Sequence, residues 1–289
     1  MRIVAVTTCL LLFFALSAGA QSPTPAPEAK ELSVFGQKIS YFEAGSGPAV
    51  ILLHGLGGNK NLWKTTLADL SPSFHVFAID QLGFGASDKP LINYRVATLV
   101  DFLEEFMTKA GIEKATLAGN SLGGWVAASF ALAHPGRVDR IILIDTAGYF
   151  PKPFRRQDVA YLNPSTLAES RQVLRKVLFN KQFINDVTVK MFFSERLSAG
   201  DSYTIDRMID SIIRGEDIMN ERWASITTPT LVVWGREDAL VPLADGELIA
   251  SRIPGARKVI LANCGHIPEL ECAPALDSVL LEYLKTPLP

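Results

Sequence analysis

A serine with glycines on both sides is the first residue in this chain whose setting suggests catalysis. Residues 119–124 read Gly-Asn-Ser-Leu-Gly-Gly and follow an apolar run of strand length. This is the G-x-S-x-G pattern, in which a sharp strand-to-helix turn exposes the serine hydroxyl at a helix N-terminus. The glycines are needed because side chains two positions away would collide with neighbouring elements. Ser121 is therefore the candidate nucleophile.

A serine is a poor nucleophile at its ordinary pKa, so it needs a base, and the base needs an orienting acid. His266 and Asp238 each come just after a predicted strand, and the chain order Ser, Asp, His is the one this motif requires. The carboxyl ends of parallel strands meet in one crevice, where distant residues converge. Glu237 and Asp145 remain rival candidates for the acid, and Asp145 could equally cap the segment that follows it.

Two backbone N–H groups are predicted to bind the negative oxygen of a tetrahedral intermediate. One belongs to Leu122, directly after the serine, and the other to Leu56, in the His-Gly-Leu-Gly-Gly loop at 54–58. Losing one such donor typically costs about 3 kcal/mol. The loop could instead be a plain strand-to-helix turn. Phosphate binding is disfavoured, because the loop lacks both G-x-G-x-x-G and a P-loop lysine. These residues indicate acyl transfer with no metal and no cofactor.

The elements that must position these residues form a regular alternation. Short apolar runs suit strands buried on both faces of a parallel sheet, and longer segments have helical periodicity. The first two strands are expected to form a hairpin around Gly36-Gln37. The alternation predicts a doubly wound, mostly parallel α/β sheet. Strands are predicted at 32–35, 38–43, 49–53, 74–79, 114–118, 140–144, 229–234 and 258–262, and helices at 61–70, 94–110, 122–133, 243–252 and 268–284.

Together, several motifs resemble the α/β-hydrolase family across about residues 32–286. The resemblance implies that Asp80 and its glycine turn belong to the scaffold, and that a helical cap is inserted after the sixth strand. The motifs are Val-Ile-Leu-Leu-His-Gly at 50–55, Asp-Gln-Leu-Gly-Phe-Gly-Ala-Ser-Asp at 80–88, Gly-Asn-Ser-Leu-Gly-Gly at 119–124, Gly-Arg-Glu-Asp at 235–238 and Gly-His-Ile-Pro-Glu at 265–269.

Residues 148–225, here called the cap segment, fit that insertion because they show helical patterns but no clear strand. Residues 32–147 and 226–289 then form the α/β-hydrolase core. Aromatic and methionine side chains of the cap segment should build its own core and in part line an apolar pocket. Its 12 Lys and Arg against 10 Asp and Glu are too balanced to indicate the charge of a substrate.

The composition excludes several other classes of protein. With 48% apolar and 20% charged residues, the chain is not disordered, collagen-like or a coiled coil. With 28 Lys and Arg against 30 Asp and Glu, it has no basic surplus for nucleic acid. The expected partner is a small apolar ester, and the oligomeric state is left open.

The N-terminus predicts export. Arg2 precedes an apolar run over 3–16 and the small residues Ser-Ala-Gly-Ala, which is typical of a signal peptide at 1–20 cleaved after Ala20. An uncleaved membrane anchor is the alternative. Residues 21–31 then form a Pro-rich spacer. The mature protein is expected in the periplasm or outside the cell, with no stable membrane insertion.

Two cysteines remain after that cleavage, Cys264 and Cys272. An exported protein could pair them. A bridge needs Cα atoms within about 7 Å, which a turn allows but a straight helix does not guarantee. We therefore expect free, buried thiols.

The type of nucleophile separates the branches of the family. Haloalkane dehalogenases and epoxide hydrolases of this fold use an aspartate, so Ser121 argues against both. Carbon–carbon hydrolases of meta-cleavage products share Gly-Asn-Ser-x-Gly-Gly, but their oxyanion loop resembles Gly-Pro-Gly-Ala, whereas 56–59 reads Leu-Gly-Gly-Asn. Capped esterases similar to monoacylglycerol lipase fit equally well, and cofactor-free perhydrolases also keep a serine triad.

The prediction is an exported serine hydrolase that cleaves carboxylic esters with apolar acyl groups through an acyl-enzyme. A carbon–carbon bond hydrolase of the meta-cleavage-product type is the alternative on the same fold. An alternative of another class is a non-catalytic binding protein that has kept the fold, since fold alone does not establish activity.

Overall fold

One eight-stranded sheet runs through the computed structural model, which describes residues 27–153 and 155–288. Its strands lie in the order β1-β2-β4-β3-β5-β6-β7-β8. Strand β2 is antiparallel to both β1 and β4, and all other pairs are parallel. The predicted mostly parallel sheet is confirmed. The strands are β1 (Ala29–Val34), β2 (Gln37–Ala44), β3 (Ala49–Leu53), β4 (His75–Ile79), β5 (Ala115–Asn120), β6 (Val138–Ile144), β7 (Thr230–Gly235) and β8 (Arg257–Leu261).

Helices cover both faces of this sheet, and its apolar strands follow from that arrangement. Successive side chains of a strand point to opposite faces. Thus Ile51 and Leu53 of β3 enter one hydrophobic core, whereas Val50 and Leu52 enter the other. A strand with a core on each side must be apolar throughout, which explains the continuous runs in the sequence.

The helices are divided between these two cores. Helices α2, α3 and α8 pack on one face and α1 and α10 on the other. Helix α3 is apolar all round because it is buried along almost its whole length. The helices are α1 (Lys64–Leu70), α2 (Val96–Lys109), α3 (Leu122–Ala133), α4 (Arg156–Val159), α5 (Leu167–Val177), α6 (Asp186–Ala199), α7 (Ser202–Ile213), α8 (Leu243–Arg252), α9 (Pro268–Glu271) and α10 (Ala273–Lys285), with 3₁₀ turns at Lys60–Trp63, Pro135–Arg137, Ala160–Leu162, Lys181–Phe183 and Arg222–Ser225.

The predicted helix over 268–284 is broken, and this break corrects the expectation of free thiols. The chain leaves helical geometry at Cys272, between α9 and α10. That turn brings Cys272 back to Cys264, with 6.0 Å between their Cα atoms, and the two form a disulfide. A continuous helix would have carried Cys272 away from the loop that holds Cys264.

The N-terminal hairpin also differs slightly from its prediction. Its two-residue turn is Phe35-Gly36, one position earlier than expected, with positive φ at both residues as a type I′ turn requires. Strand β1 begins at Ala29, so residues 29–31 belong to the sheet and not to the Pro-rich spacer. The predicted signal peptide at 1–20 and the spacer up to residue 26 lie outside the described residues.

Between β6 and β7 the described residues of the cap segment contain helices and turns and no strand. Helices α5 and α6 build a small core from Leu174, Leu178 and Val189. Helix α7 instead packs on the main core through Ile205 and Met208. Among the described residues, no helix has the length and apolar character needed to cross a membrane.

Candidate active site

Ser121 occupies the junction between β5 and α3 in a strained backbone conformation. Its φ is 52° and its ψ −115°, a backbone conformation that residues other than glycine rarely adopt. Three backbone hydrogen bonds hold the strain in place. The Ser121 N–H donates to Ile144 O at 2.9 Å, and its carbonyl accepts from Trp125 at 3.1 Å and Ala147 at 3.0 Å. Such over-determined strain is typical of a functional position.

The glycines around Ser121 permit close contact between backbones. A Cβ atom on Gly119 would lie 2.2 Å from the carbonyl carbon of Gly123, and one on Gly123 would lie 2.1 Å from Leu53 O. Both distances are well inside van der Waals contact. Only glycine fits at either position, for the reason that the sequence pattern suggested.

His266 and Asp238 form a buried hydrogen-bonded pair after β8 and β7. His266 Nδ1 lies 2.7 Å from Asp238 Oδ2, and both side chains are almost fully buried. The other carboxylate oxygen of Asp238 accepts the N–H groups of Leu240 at 2.7 Å and Val241 at 2.9 Å. A carboxylate beside Nδ1 favours the tautomer that keeps the proton there, which leaves Nε2 as the acceptor for a proton.

The loop that carries His266 is fixed at several points. The His266 N–H donates to Val177 O at 2.8 Å, and its carbonyl accepts from Asn120 Nδ2 at 2.8 Å. Glu271 accepts the N–H groups of Gly265 and Phe179, each at 2.9 Å. The loop is thereby tied both to the neighbour of Ser121 and to the cap segment.

Sequence reasoning missed the positioning roles of Asn120 and Glu271. Asn120 stands in the Gly-Asn-Ser motif, so its place beside the nucleophile was the available signal. No spacing rule pointed to Glu271, because its partners lie in the loop of residue 265 and in the cap segment.

The loop at 54–58 passes directly beside Ser121. A Cβ atom on Gly55 would lie 3.1 Å from the Cβ of Ser121. Within the described part of the chain, the N–H groups of Leu56 and Leu122 donate no hydrogen bond. Two unused donors therefore flank the serine. Arg196 of α6 contacts this loop by donating a hydrogen bond to Gly57 O at 2.8 Å.

The two rival acids occupy different positions from Asp238. Glu237 accepts the N–H of Cys264 at 2.9 Å, whereas the imidazole pairs with Asp238. Asp145, at the end of β6, is completely buried, and its Oδ1 accepts the N–H of Gly235 at 2.8 Å. Burial and the neighbouring Asp238 charge raise the pKa of Asp145 well above its ordinary value. The structure joins His266 to Asp238 and places a carboxyl oxygen of Asp145 within 4.8 Å of both.

Within the described residues, Asp145, Asp238 and His266 are also the group of side chains whose spacing could hold a metal ion. Their potential ligand atoms lie within 4.8 Å of one another. An ion held through His266 Nδ1 would have to break the hydrogen bond to Asp238. As they stand, these side chains therefore suit the hydrogen bond between His266 and Asp238, and a metal ion would require them to rearrange.

A further buried acid lies close to the histidine. Glu269 of α9 is fully buried, and neither of its carboxyl oxygens has a hydrogen-bond partner among the described residues. Burial raises the pKa of Glu269 to about 7, although the charge of His266 opposes the shift. Among the described residues at this end of the sheet, the buried carboxyl oxygens thus outnumber the hydrogen-bond donors that pair with them.

A serine in a strained strand-to-helix turn, facing unused backbone donors at the carboxyl edge of a parallel sheet, defines a hydrolase of the α/β class. Residues 48–271 match the family described as the alpha/beta hydrolase fold, and the chain belongs to that family. The family resemblance seen in the sequence is confirmed.

Known relatives cover nearly the whole chain. A 2-hydroxymuconate semialdehyde hydrolase from Pseudomonas sp. (strain CF600) is 30% identical over 91% of this chain and 96% of its own length. Lipase 3 from Moraxella sp. (strain TA144) is 31% identical over 84% of this chain and 80% of its own. The crystal structure of a bacterial membrane phospholipase A, at 26% identity, superposes with a TM-score of 0.81 over 90% of this chain and 86% of that one. These relatives include both hydrolase types that the sequence suggested.

Proposed function

We propose that this protein is an exported serine hydrolase that cleaves carboxylic esters with apolar acyl groups. Ser121 is the nucleophile, His266 the general base and acid, and Asp238 the residue that orients the imidazole. The observation that carries the proposal is the buried hydrogen bond of 2.7 Å between His266 and Asp238, in a loop that Asn120 joins to the strained turn of Ser121.

In the proposed reaction, Ser121 Oγ attacks the ester carbonyl carbon while His266 Nε2 takes the hydroxyl proton. The carbonyl oxygen becomes an oxyanion that the N–H groups of Leu56 and Leu122 bind. When the carbon–oxygen bond to the alcohol breaks, the imidazolium gives its proton to the leaving oxygen. A water molecule, deprotonated by His266, then attacks the carbonyl carbon of the acyl-enzyme. The bond from that carbon to Ser121 Oγ breaks, the imidazolium returns its proton to Oγ, and the carboxylic acid is released.

The apolar acyl group is inferred from the surroundings of the histidine. Ile267, the next residue, packs against the cap core formed by Leu174, Leu178 and Val189. The cap segment thus presents an apolar surface where the chain leaves His266. Apolar surface of this kind suits the alkyl part of an ester.

Carbon–carbon bond hydrolysis is the second candidate, favoured by the relative that hydrolyses 2-hydroxymuconate semialdehyde. Such a substrate is a carboxylate and would need a cation. Arg196 is the buried cation of the cap segment nearest the loop at 54–58, but Asp201 and Gly57 O already bind its guanidinium. Because Asp201 neutralises this arginine, a neutral ester is the better fit.

Export is supported by two observations in different parts of the chain. The N-terminal residues have the composition of a signal peptide. The disulfide between Cys264 and Cys272 belongs to the class of bond that persists in oxidising compartments.

Labelling with a fluorophosphonate tests the proposal, because such reagents modify only an activated serine. The wild-type protein should be labelled on Ser121, and Ser121→Ala should not be labelled. Ser251→Ala is the matched control, because Ser251 is an exposed serine on α8. Absence of label on folded wild-type protein would overturn the proposal and favour a non-catalytic binding protein.

Turnover then separates the two candidate reactions. A nitrophenyl ester series and a meta-cleavage product should be compared on the same preparation. We expect kcat/KM to be higher for the esters. A hundredfold preference for the meta-cleavage product would reverse the order of the two candidates.

A further inference from the structure

Two carboxyl groups share one buried site at the carboxyl edge of the sheet. Asp145 comes directly after β6, and Asp238 comes after β7, the neighbouring strand. Asp145 has no exposed surface and Asp238 keeps 8%. One oxygen of each lies within 4.8 Å of the other and of a ring nitrogen of His266.

The hydrogen-bond donors around this site are distributed unequally. Asp238 accepts from the N–H groups of Leu240 and Val241 at one oxygen and faces His266 Nδ1 at the other. Asp145 accepts only from the N–H of Gly235, at Oδ1. Its Oδ2 is buried and has no partner among the described residues. The donors present can stabilise one negative charge here, and they are gathered on Asp238.

We propose that Asp145 stays protonated in the working enzyme and donates its Oδ2 hydrogen to the Asp238 carboxylate. Asp145 is then a positioning residue that holds Asp238 toward His266. This proposal rests on the proposed function, because it assigns Asp238 the role of orienting acid.

General electrostatics explains why only one of the two acids is ionised. When two carboxyl groups share a buried site, the charge on one raises the pKa of the other, so one of them keeps a proton. The groups that face Asp145 are Asp238 from the turn after β7, His266 from the loop after β8 and Glu269 from α9. Burial and the Asp238 charge both raise the pKa of Asp145, and both favour its neutral form.

The backbone at Asp145 supports a dedicated role for its side chain. Its φ is 42°, one of few positive values at a residue other than glycine among the described residues. The Asp145 N–H donates to Val233 O at 3.0 Å, which ties the strained residue to β7. Strain of this kind persists where the surrounding contacts over-determine a conformation. Here it aims the carboxyl group at Gly235 and Asp238.

Asp145→Asn is the decisive variant, because an amide keeps both hydrogen bonds but cannot ionise. Its NH₂ group can donate to Asp238 and its oxygen can accept from Gly235. If Asp145 is already neutral, kcat/KM for a nitrophenyl ester should stay within about threefold of wild type. The pKa of His266, followed by NMR of the imidazole, should be unchanged.

If Asp145 were ionised in the wild-type protein, Asp145→Asn would give a different result. Removing a negative charge this close to His266 should lower the imidazole pKa by about one unit or more. That shift would overturn the proposal. So would an activity loss in Asp145→Asn as large as the loss in Asp238→Asn, because Asp145 would then be the orienting acid.

Asp145→Leu tests whether the donated hydrogen matters. This side chain has a similar size but no donor, so kcat should fall by about tenfold to a hundredfold with little change in KM. Wild-type activity in a folded Asp145→Leu protein would contradict the positioning role. If this variant does not fold, the asparagine measurements decide alone. The NMR titration needs no turnover, so failure of the ester assay would count against the proposed function and not against the shared proton.

Discussion

The carboxyl edge of the sheet and the cap segment hold their residues by different means. At the edge, Ser121 and Asp238 are fixed by backbone hydrogen bonds from neighbouring strands and turns. In the cap segment, Arg196 holds Gly57 through a side chain, and the core of α5 and α6 is built on three buried apolar residues among those described. Backbone contacts specify geometry closely, whereas side-chain contacts allow rearrangement. The geometry at the edge is therefore more tightly specified than that of the cap segment.

Surface exposure shows the same difference between the two regions. Leu167, Val187 and Leu197 of the cap helices are each exposed by more than two fifths, at 42%, 67% and 66%. In contrast, every residue of β5 and β7 is buried. An apolar side chain left in water gives no packing energy, so it constrains its helix weakly. The cap helices are accordingly the part of the fold in which substitutions should be tolerated best.

The largest effect should come from the edge. Asp238→Asn keeps the shape of the side chain but favours the wrong imidazole tautomer and no longer stabilises the imidazolium. In serine proteases this change costs about four orders of magnitude in kcat. We expect a comparable loss, measured as ester turnover by folded protein, with Asp145→Asn as the matched control one strand away.

The reverse result would identify a different triad. If Asp145→Asn abolished turnover while Asp238→Asn stayed nearly active, Asp145 would be the acid that acts on His266. The edge would then still hold the chemistry, but through β6 and not through the turn after β7.

The second prediction concerns Arg196, which forms an ion pair with Asp201 inside the cap segment and also donates to Gly57 O at the edge. Arg196 and Asp201 are both buried, with 9% and 1% of their side chains exposed. Arg196→Met leaves Asp201 buried without its partner, so the free energy of unfolding should fall by about 3–5 kcal/mol. Turnover should also fall, because Gly57 O loses a donor and the neighbouring Leu56 N–H is held less firmly. Chemical denaturation and ester kinetics measure the two effects.

Arg171→Met is the control for that variant. Arg171 pairs with Asp186 on the cap surface, and a surface pair contributes at most about 1 kcal/mol. The double variant Arg196→Met/Asp201→Leu should recover much of the lost stability, because no unpaired charge remains. If Arg196→Met costs no more than Arg171→Met, the buried pair of Arg196 and Asp201 stabilises the fold no more than a surface pair does.

The sequence predicted most of the edge because strand ends could be located. Ser121 directly follows β5, and Asp238 and His266 lie in the turns just beyond β7 and β8, so topology alone brings these positions together. The family resemblance supplied the cap insertion, which periodicity could describe only as a break in the alternation.

Other features depend on side-chain directions, which strand positions do not specify. Asp145 and Asp238 both follow neighbouring strands, and only the structure shows that their carboxyl groups meet while Glu237 turns toward Cys264. The disulfide was predicted wrongly because periodicity continued through Cys272, where the helix in fact breaks. The Arg196 contact joins residues 139 positions apart and has no local signal.

The smallest effect expected is on how the free energy of unfolding changes with pH. It tests whether the buried acids at the edge destabilise the folded protein. Burial raises the pKa of Glu269 to about 7 from an ordinary value of 4.5. A raised pKa means that the folded protein prefers the protonated acid, so this contribution is complete below pH 4.5 and lost as the pH rises through about 7. Between pH 4.5 and pH 7 the wild-type protein should therefore lose about 3 kcal/mol of unfolding free energy that the Glu269→Gln variant does not lose. Denaturation at pH 5 and pH 8 measures it, with the exposed Glu282→Gln as control. If the free energy of unfolding of Glu269→Gln changes with pH as it does in the wild-type protein, burial of this acid does not destabilise the edge.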